Sequence, residues 1–197
     1  YDGPQPAAPL TPSEWDALTS ATVSYGHGLA VTPLAFAVAY TPFANGGYYV
    51  PPAFLEPVDP TRVDKRAVMS PQTARTVTAM MREAVVRGTG GNANAPGYEV
   101  AGKTGTAEKP GPDGYDPDRN VTSFAAVFPA SRPQFVVLIV LDEAEPRTGD
   151  GRTAAYTAAS IAGRVIERSA PLLDVQPVIG EAASPLPAPG AAEARSL

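Results

Sequence analysis

The sequence predicts an α+β domain on three observations. Two segments open with a hydroxyl residue followed by proline, which is how helices start; a block of short strand-forming segments follows them; and an alanine-rich helical stretch comes after the strands. With 197 residues the chain is one large domain or two small ones, long enough to bury its own core.

The elements follow in order. The first dozen residues, YDGPQPAAPLTP, hold four prolines, so residues 1–20 read as an extended lead-in, with Trp15 and Leu18 as its packing anchors. Thr32-Pro33 opens the helix LAFAVAYTPFANGG, and Ser70-Pro71 opens QTARTVTAMMREAVVRG. The hydroxyl at the N-cap accepts an orphan amide proton, and proline at the first helical position presets φ. Gly46-Gly47 and Gly88 stand where left-handed caps are expected. In the second helix Val77, Met80, Met81, Ala84 and Val85 form an apolar core stripe, with Arg75, Arg82 and Glu83 off it.

Beyond RGTGGNANAPG the period shifts to strands: Tyr98 to Lys109, then Val121 to Phe128 and Gln134 to Leu141, the last two joined by PASRP, a connection of hairpin length. FVVLIVL is apolar on both faces and is expected to be a central, fully covered strand. Thr153 to Arg168 reads as a helix that could cover it. From Pro171 the composition drifts into Pro, Ala and Gly, and residues 179–197 read as a disordered tail.

Composition removes several classes of function. Lys and Arg number 15 against 20 Asp and Glu, a formal charge of −5, which leaves no clustered cationic face for nucleic acid. There is no cysteine, so disulfides, zinc-thiolate sites and thiol nucleophiles are excluded. His27 is the only histidine, and a two-histidine metalloprotease site cannot be built. No apolar run is long enough to cross a membrane. The chain starts at Tyr1 without a signal-peptide pattern and reads as a piece of something longer.

Two motif readings compete for the same residues. Gly97 to Thr104 (GYEVAGKT) matches the phosphate-cradling GxxxxGK[ST] pattern, and VVLIVLDE (Val136 to Glu143) looks like the strand and acid that position magnesium in such enzymes. That pattern needs a strand running into its first glycine and a helix starting at its Lys-Thr. Here NANAP precedes Gly97, and Gly105, Pro110, Gly111 and Pro112 oppose a helix after Thr104. Without the helix N-terminus there is no amide nest for phosphate.

The alternative takes Lys103-Thr104-Gly105-Thr106 as a strand. Lys103 supplies a cation for a substrate carboxylate. The period of two puts the hydroxyls of Thr104 and Thr106 on one face, where they can bond the same carboxylate. Gly105 lets a substrate backbone lie alongside, and the Thr106 amide can face a developing oxyanion. K-T-G is one of three short signatures of penicillin-binding serine acyltransferases.

The surrounding phrases strengthen it. SYGHGLAVTPLAFAVAYTPFANGG (Ser24 to Gly47), MMREAVVRGTGGNA (Met80 to Ala93), GYEVAGKTGTAEK (Gly97 to Lys109) and SFAAVFPASRPQFVVLIVLDEAEP (Ser123 to Pro146) together resemble class B penicillin-binding proteins. YGHGLAVTPL is most similar to the septal, cell-division branch. The resemblance covers residues 21–178 and implies the C-terminal half of a transpeptidase domain. Its fold would be an antiparallel sheet packed between helices, with a cleft along the K-T-G strand. Ser24 to Gly47 would be a buried helix supporting that cleft, and Thr153 to Arg168 would lie across the sheet.

By the same resemblance, Lys103 and Thr106 are catalytic, and Lys103, Thr104, Gly105 and Thr106 bind substrate. The implied reaction cross-links peptidoglycan stem peptides through a serine acyl-enzyme that β-lactams also form, at the periplasmic face of the bacterial inner membrane. Implied partners are membrane proteins of the division machinery, including a glycosyltransferase; no metal or organic cofactor is required. The family's nucleophile is the serine of S-x-x-K, with a second hydroxyl in S-x-N. None of Ser13, Ser20, Ser24, Ser70, Ser123, Ser131, Ser160, Ser169, Ser184 and Ser196 has Lys three residues on or Asn two residues on. The chain therefore offers no nucleophile. A β-lactam-binding sensor or a division scaffold without catalysis is the other reading.

Of the remaining candidates, His27 between two glycines reads as a turn or packing residue. Asp113, Asp116 and Asp118 have the wrong spacing for a calcium loop and read as solvating a long loop beside the cleft. Asp142, Glu143 and Glu145 read as solvent-facing, and Asn120-x-Thr122 carries little weight as a glycosylation signal.

Overall fold

The computed structural model describes residues 6–53, 63–112, 114–145 and 151–178. Its centre is an antiparallel three-stranded sheet, β3 (Ala101–Gly111), β4 (Gly114–Phe128) and β5 (Phe135–Asp142), in that spatial order. The tail expected over residues 179–197, and Asp113, lie outside the described residues.

Helix α2 (Pro33–Ala44) starts where expected: Thr32 Oγ1 accepts from the Ala35 amide at 3.2 Å, with proline at the first position. Helix α3 (Pro71–Val86) starts the same way, Ser70 Oγ accepting from the Thr73 amide at 3.0 Å. Part of the lead-in is helical, since α1 (Ala17–Val23) forms behind Asp16, whose carboxylate accepts from the Thr19 amide at 2.7 Å. That bond holds the Asp16 carboxyl below its usual pKa. Trp15 and Leu18 are not anchors: they are 58% and 72% exposed. The buried helix expected from Ser24 to Gly47 is shorter, and within α2 only Val38 and Pro42 are buried.

Two apolar clusters sandwich the sheet. On one face helix α4 (Ala158–Ser169) lays Ala158, Ala159, Ala162 and Ile166 against Phe124, Ala126 and Phe128 of β4. The same helix closes on the turn before β3, where a Cβ at Gly163 would stand 2.8 Å from the Asn92 carbonyl oxygen. On the other face Met81 of α3 joins Ala101 and Val127, flanked by Tyr40, Phe43 and Ala44 of α2.

The stripe expected on α3 is rotated. The buried positions are Ala74, Thr78, Met81, Arg82 and Val85, while Met80 is 64% exposed. Arg82 belongs inside because its Nη1 donates to Asn94 Oδ1 at 2.8 Å and to the Val100 carbonyl at 3.0 Å, so the guanidinium enters the core with acceptors waiting. Burial pulls its pKa down, and the charges of Glu99 and Glu83 oppose that.

The strand block also differs. Among the described residues β4 has strands on both sides and β5 on one, and β5 is not fully covered: none of its residues is buried, and Val140 is 39% exposed. A doubly apolar strand pattern asks for cover on both faces but says nothing about how much of it this chain supplies, or about neighbours in the plane of the sheet. The loop expected at GPDGYDPDR is the end of a long hairpin in which Gly111 stands opposite Gly114. A register shift after Glu108 accommodates extra β4 residues before Asn120. A small antiparallel ribbon, β1 (Tyr48–Tyr49) with β2 (Arg66–Ala67), joins α2 to α3.

Candidate active site

Residues Lys103 to Thr106 lie within β3, extended and paired with Ala125 to Thr122 of β4. Among the described residues β3 is an outer strand, so its second margin faces away from β4. No helix starts at Lys103-Thr104; the strand runs on to Gly111. The phosphate-loop reading fails on that geometry, because it requires a helix N-terminus at this point.

Local sequence explains why the strand sits so close to its neighbours. A Cβ at Gly102 would come 2.5 Å from Cζ of Phe124 and 2.8 Å from Cβ of Ala126, and one at Gly105 would come 2.7 Å from Ser123 Oγ. At Gly102 a side chain is excluded, since the Ala125 carbonyl oxygen also lies 2.8 Å away, whereas at Gly105 one would require the Ser123 hydroxyl to turn aside. Where the strand begins, Val100 and Ala101 and, on β4, Phe124 and Ala125 are buried to 1% exposure or less on the two faces of the sheet, which fixes the backbone leading into the K-T-G segment.

The polar side chains of the segment remain accessible. Lys103 is exposed and makes no ion pair with another described residue; its Nζ donates to the Thr104 carbonyl at 2.9 Å and lies 3.4 Å from Thr104 Oγ1. Thr104 is half-buried and its hydroxyl meets that of Thr89 at 2.7 Å. Thr106 is exposed and its Oγ1 accepts from the Ala154 amide at 3.1 Å. An ammonium, two hydroxyls and an outer strand margin are thus gathered over four consecutive residues. Such a set can hold an anionic chain terminus and align an extended peptide beside it.

The segment before α4 is tied under this strand by a chain of bonds. Arg152 Nη1 donates to the Asp118 carbonyl at 2.8 Å, and Thr157 Oγ1 donates to Thr122 Oγ1 at 3.0 Å, opposite Thr106. Asn92 Nδ2 donates to the Ala155 carbonyl at 2.9 Å. Asn120 is 6% exposed with its amide toward the Arg152 carbonyl, which removes it as a sugar acceptor. The sequence does not single out Thr89 or Ala154: each meets its threonine across 15 or 48 residues, and Thr89 stands only as one letter of the longer MMREAVVRGTGGNA phrase.

The far end of the hairpin is organised by charge. Lys109 Nζ lies 2.5 Å from Asp142 Oδ1 and 2.8 Å from Glu143 Oε1, which Arg119 Nε also reaches at 2.9 Å. Asp142 and Glu143 are exposed as expected, but they are paired. Lys109 is raised above its usual pKa by Asp142 and then Glu143, and Glu143 is lowered by Lys109 and then Arg119. His27 packs edge-on against Tyr115 with ring centroids 5.5 Å apart, a packing contact at the hairpin tip. Among the described residues no group of three or more His, Asp or Glu could hold a metal ion. No described helix is long and apolar enough to cross a membrane.

Comparison with known proteins gives one answer by three routes. The family model described as the penicillin binding protein transpeptidase domain matches residues 2–166. A probable peptidoglycan D,D-transpeptidase FtsI of Caulobacter vibrioides is 42% identical over 181 residues, 86% of this chain and 31% of that protein. The peptidoglycan D,D-transpeptidase FtsI of Escherichia coli is 37% identical over 77% of this chain and 26% of its own length. The chain therefore spans about a third or less of these relatives.

Among solved structures, the TP domain of Burkholderia pseudomallei penicillin-binding protein 3 superposes with a TM-score of 0.78 at 35% identity, over 87% of this chain and 51% of that one. Penicillin-binding protein 3 of Mycobacterium tuberculosis complexed with ampicillin superposes with a TM-score of 0.74 at 34% identity, over 91% of this chain and 43% of that one. An antiparallel sheet between helices, a K-T-G strand at its margin and a family match over most of the length agree: this chain belongs to the penicillin-binding protein transpeptidase domain family, among relatives of the division transpeptidase type.

Proposed function

We propose that this chain is the C-terminal half of a class B transpeptidase domain and supplies the substrate-aligning strand of a septal peptidoglycan D,D-transpeptidase. The observation that carries this reading is the placement of Lys103, Thr104 and Thr106 on a strand that is outer among the described residues and whose backbone is fixed by the buried residues that lead into it. The serine nucleophile, its S-x-x-K lysine and the S-x-N hydroxyl come from another part of the longer protein. This agrees with their absence here and with the fraction of the relatives' length that the chain spans.

In this mechanism the serine gives its proton to the S-x-x-K lysine, which later passes it to the leaving amine, as its oxygen bonds to the carbonyl carbon of the penultimate D-Ala of a stem peptide, giving a tetrahedral oxyanion. The C–N bond to the terminal D-Ala then breaks, and the leaving amine takes a proton. An amine of a neighbouring stem attacks the resulting ester, releasing the serine and closing the cross-link. Lys103 holds the S-x-N hydroxyl and the terminal carboxylate electrostatically, and the Thr104 and Thr106 hydroxyls bond that carboxylate. The Thr106 amide forms half of the oxyanion hole, a donor whose loss typically costs about 10²–10³ in rate. β-Lactams acylate the same serine because their strained amide imitates the D-Ala–D-Ala bond. The reaction needs no metal or organic cofactor, and the domain works on the periplasmic side of the inner membrane with membrane-bound division proteins, a glycosyltransferase among them.

Covalent labelling by fluorescent penicillin tests the reading. The complete protein labels at one serine outside this chain, Lys103→Ala suppresses the labelling, and this chain alone stays unlabelled. A complete protein that never acylates would make the segment part of a division scaffold, and a stable adduct on this chain alone would refute the missing-nucleophile account.

A further inference from the structure

Thr89 lies in the glycine-rich turn between α3 and β3, a turn with little freedom. A Cβ at Gly88 would stand 2.8 Å from the Ala84 carbonyl oxygen, and one at Gly90 would stand 3.0 Å from Val85 Cγ2. The Gly90 amide donates to the Ala84 carbonyl at 3.0 Å, and Val85 and Ala93 on either side are fully buried. Thr89 is thus an exposed hydroxyl on a fixed backbone, 2.7 Å from the hydroxyl of Thr104.

A threonine hydroxyl has one proton to give and two lone pairs to fill. Thr106 Oγ1 already accepts from the Ala154 amide, so its proton is available to a ligand. Thr104 Oγ1 lies within 3.4 Å of Lys103 Nζ, and an ammonium can only donate. Between Thr89 and Thr104 either hydroxyl can be the donor. An anion at the margin of β3 decides the direction, because it accepts only: Thr104 gives it a proton, and Thr89 then donates to Thr104. Hydrogen bonds in such a chain polarise one another, and each strengthens the next.

We propose that Thr89 is a positioning residue whose hydroxyl donates to Thr104, so that Thr104 presents its own proton to the terminal carboxylate of the substrate. This rests on the reading of β3 as the carboxylate-binding strand of a transpeptidase. It adds a residue outside the K-T-G signature and gives it a role in recognising the anionic end of the donor peptide.

The experiment measures second-order acylation of the complete transpeptidase by benzylpenicillin and by its methyl ester, which lacks the anion. In Thr89→Val the acid reacts about tenfold more slowly, the scale of one hydrogen bond toward a charged group, while the ester keeps its wild-type rate within about twofold. Thr89→Ser restores the acid rate with the thermal midpoint unchanged, and Thr89→Ala stands in for valine where valine shifts that midpoint. An unchanged acid rate in Thr89→Val, or equal slowing of both probes, overturns the proposal. Failure of the wild-type protein to acylate with either probe would instead overturn the transpeptidase reading beneath it.

Discussion

From Ala101 to Thr106, β3 pairs with a stretch of β4 whose Phe124 to Val127 are buried, and its side chains engage hydroxyls and a backbone amide. From Glu108 onward the same strand leaves the core, its register slips, and its contacts become ion pairs of Lys109 and Arg119 with exposed carboxylates. The two halves show what each kind of interaction is suited to. Packing and short hydrogen bonds fix a backbone to within tenths of an ångström, which substrate alignment demands. Exposed ion pairs only keep a hairpin closed, and salt screens them.

The contrast can be broken first at Lys103. In the complete protein Lys103→Ala should slow acylation by about 10²-fold or more, the scale at which one preorganised polar group acts, while thermal stability stays near wild type. Rates from gel-based penicillin labelling, with a melting curve beside them, check both parts. Next comes the layer beneath. Ile166 is fully buried between α4 and β4, so Ile166→Ala should cost about 2–5 kcal/mol in denaturant unfolding and lower acylation only as far as folded protein is lost. Gly102→Val should cost about 1–3 kcal/mol by overpacking against Phe124, and it should also slow acylation of the molecules that remain folded, because the strand itself must shift.

The smallest effect belongs to the distal pairs, and its sign follows from the two shifts. Glu143 is held below its ordinary 4.5, so its pairs contribute above that pH and are lost as pH falls through the lower folded value. Lys109 is held above its ordinary 10.5, so its contribution is present below that pH and is lost as pH rises through the higher folded value. Glu143→Gln should therefore lower the melting midpoint slightly between about pH 4.5 and 10.5, with no difference well below pH 4.5 and none in high salt. Acylation rates should not change. A clear rate loss would mean that the distal half of the hairpin helps to align substrate.

What the sequence disclosed divides along similar lines. Thr32 and Ser70 are legible as caps because the amides they satisfy lie three residues away. The K-T-G strand is legible because prolines and glycines after Thr104 forbid its rival, a helix. Arg82 was misplaced because its acceptors, Asn94 and Val100, are fixed by tertiary contact, and a helical period alone puts an arginine outside. The hairpin end reads as a loop although Pro112-Asp113-Gly114 is a turn signal, since three acids in nine residues suggest solvent instead. Nothing local announces the contacts of Thr89 and the Ala154 amide, because their partners lie 15 and 48 residues away.

The margin of β5 has one more consequence. FVVLIVL offers a ladder of amides and carbonyls that no described strand takes up, with apolar side chains on both sides of it. In water such a ladder invites a second copy of itself, through the same backbone complementarity that builds amyloid. Produced in isolation, this polypeptide should therefore self-associate as its concentration rises, unless another β-segment is provided to cap the seam.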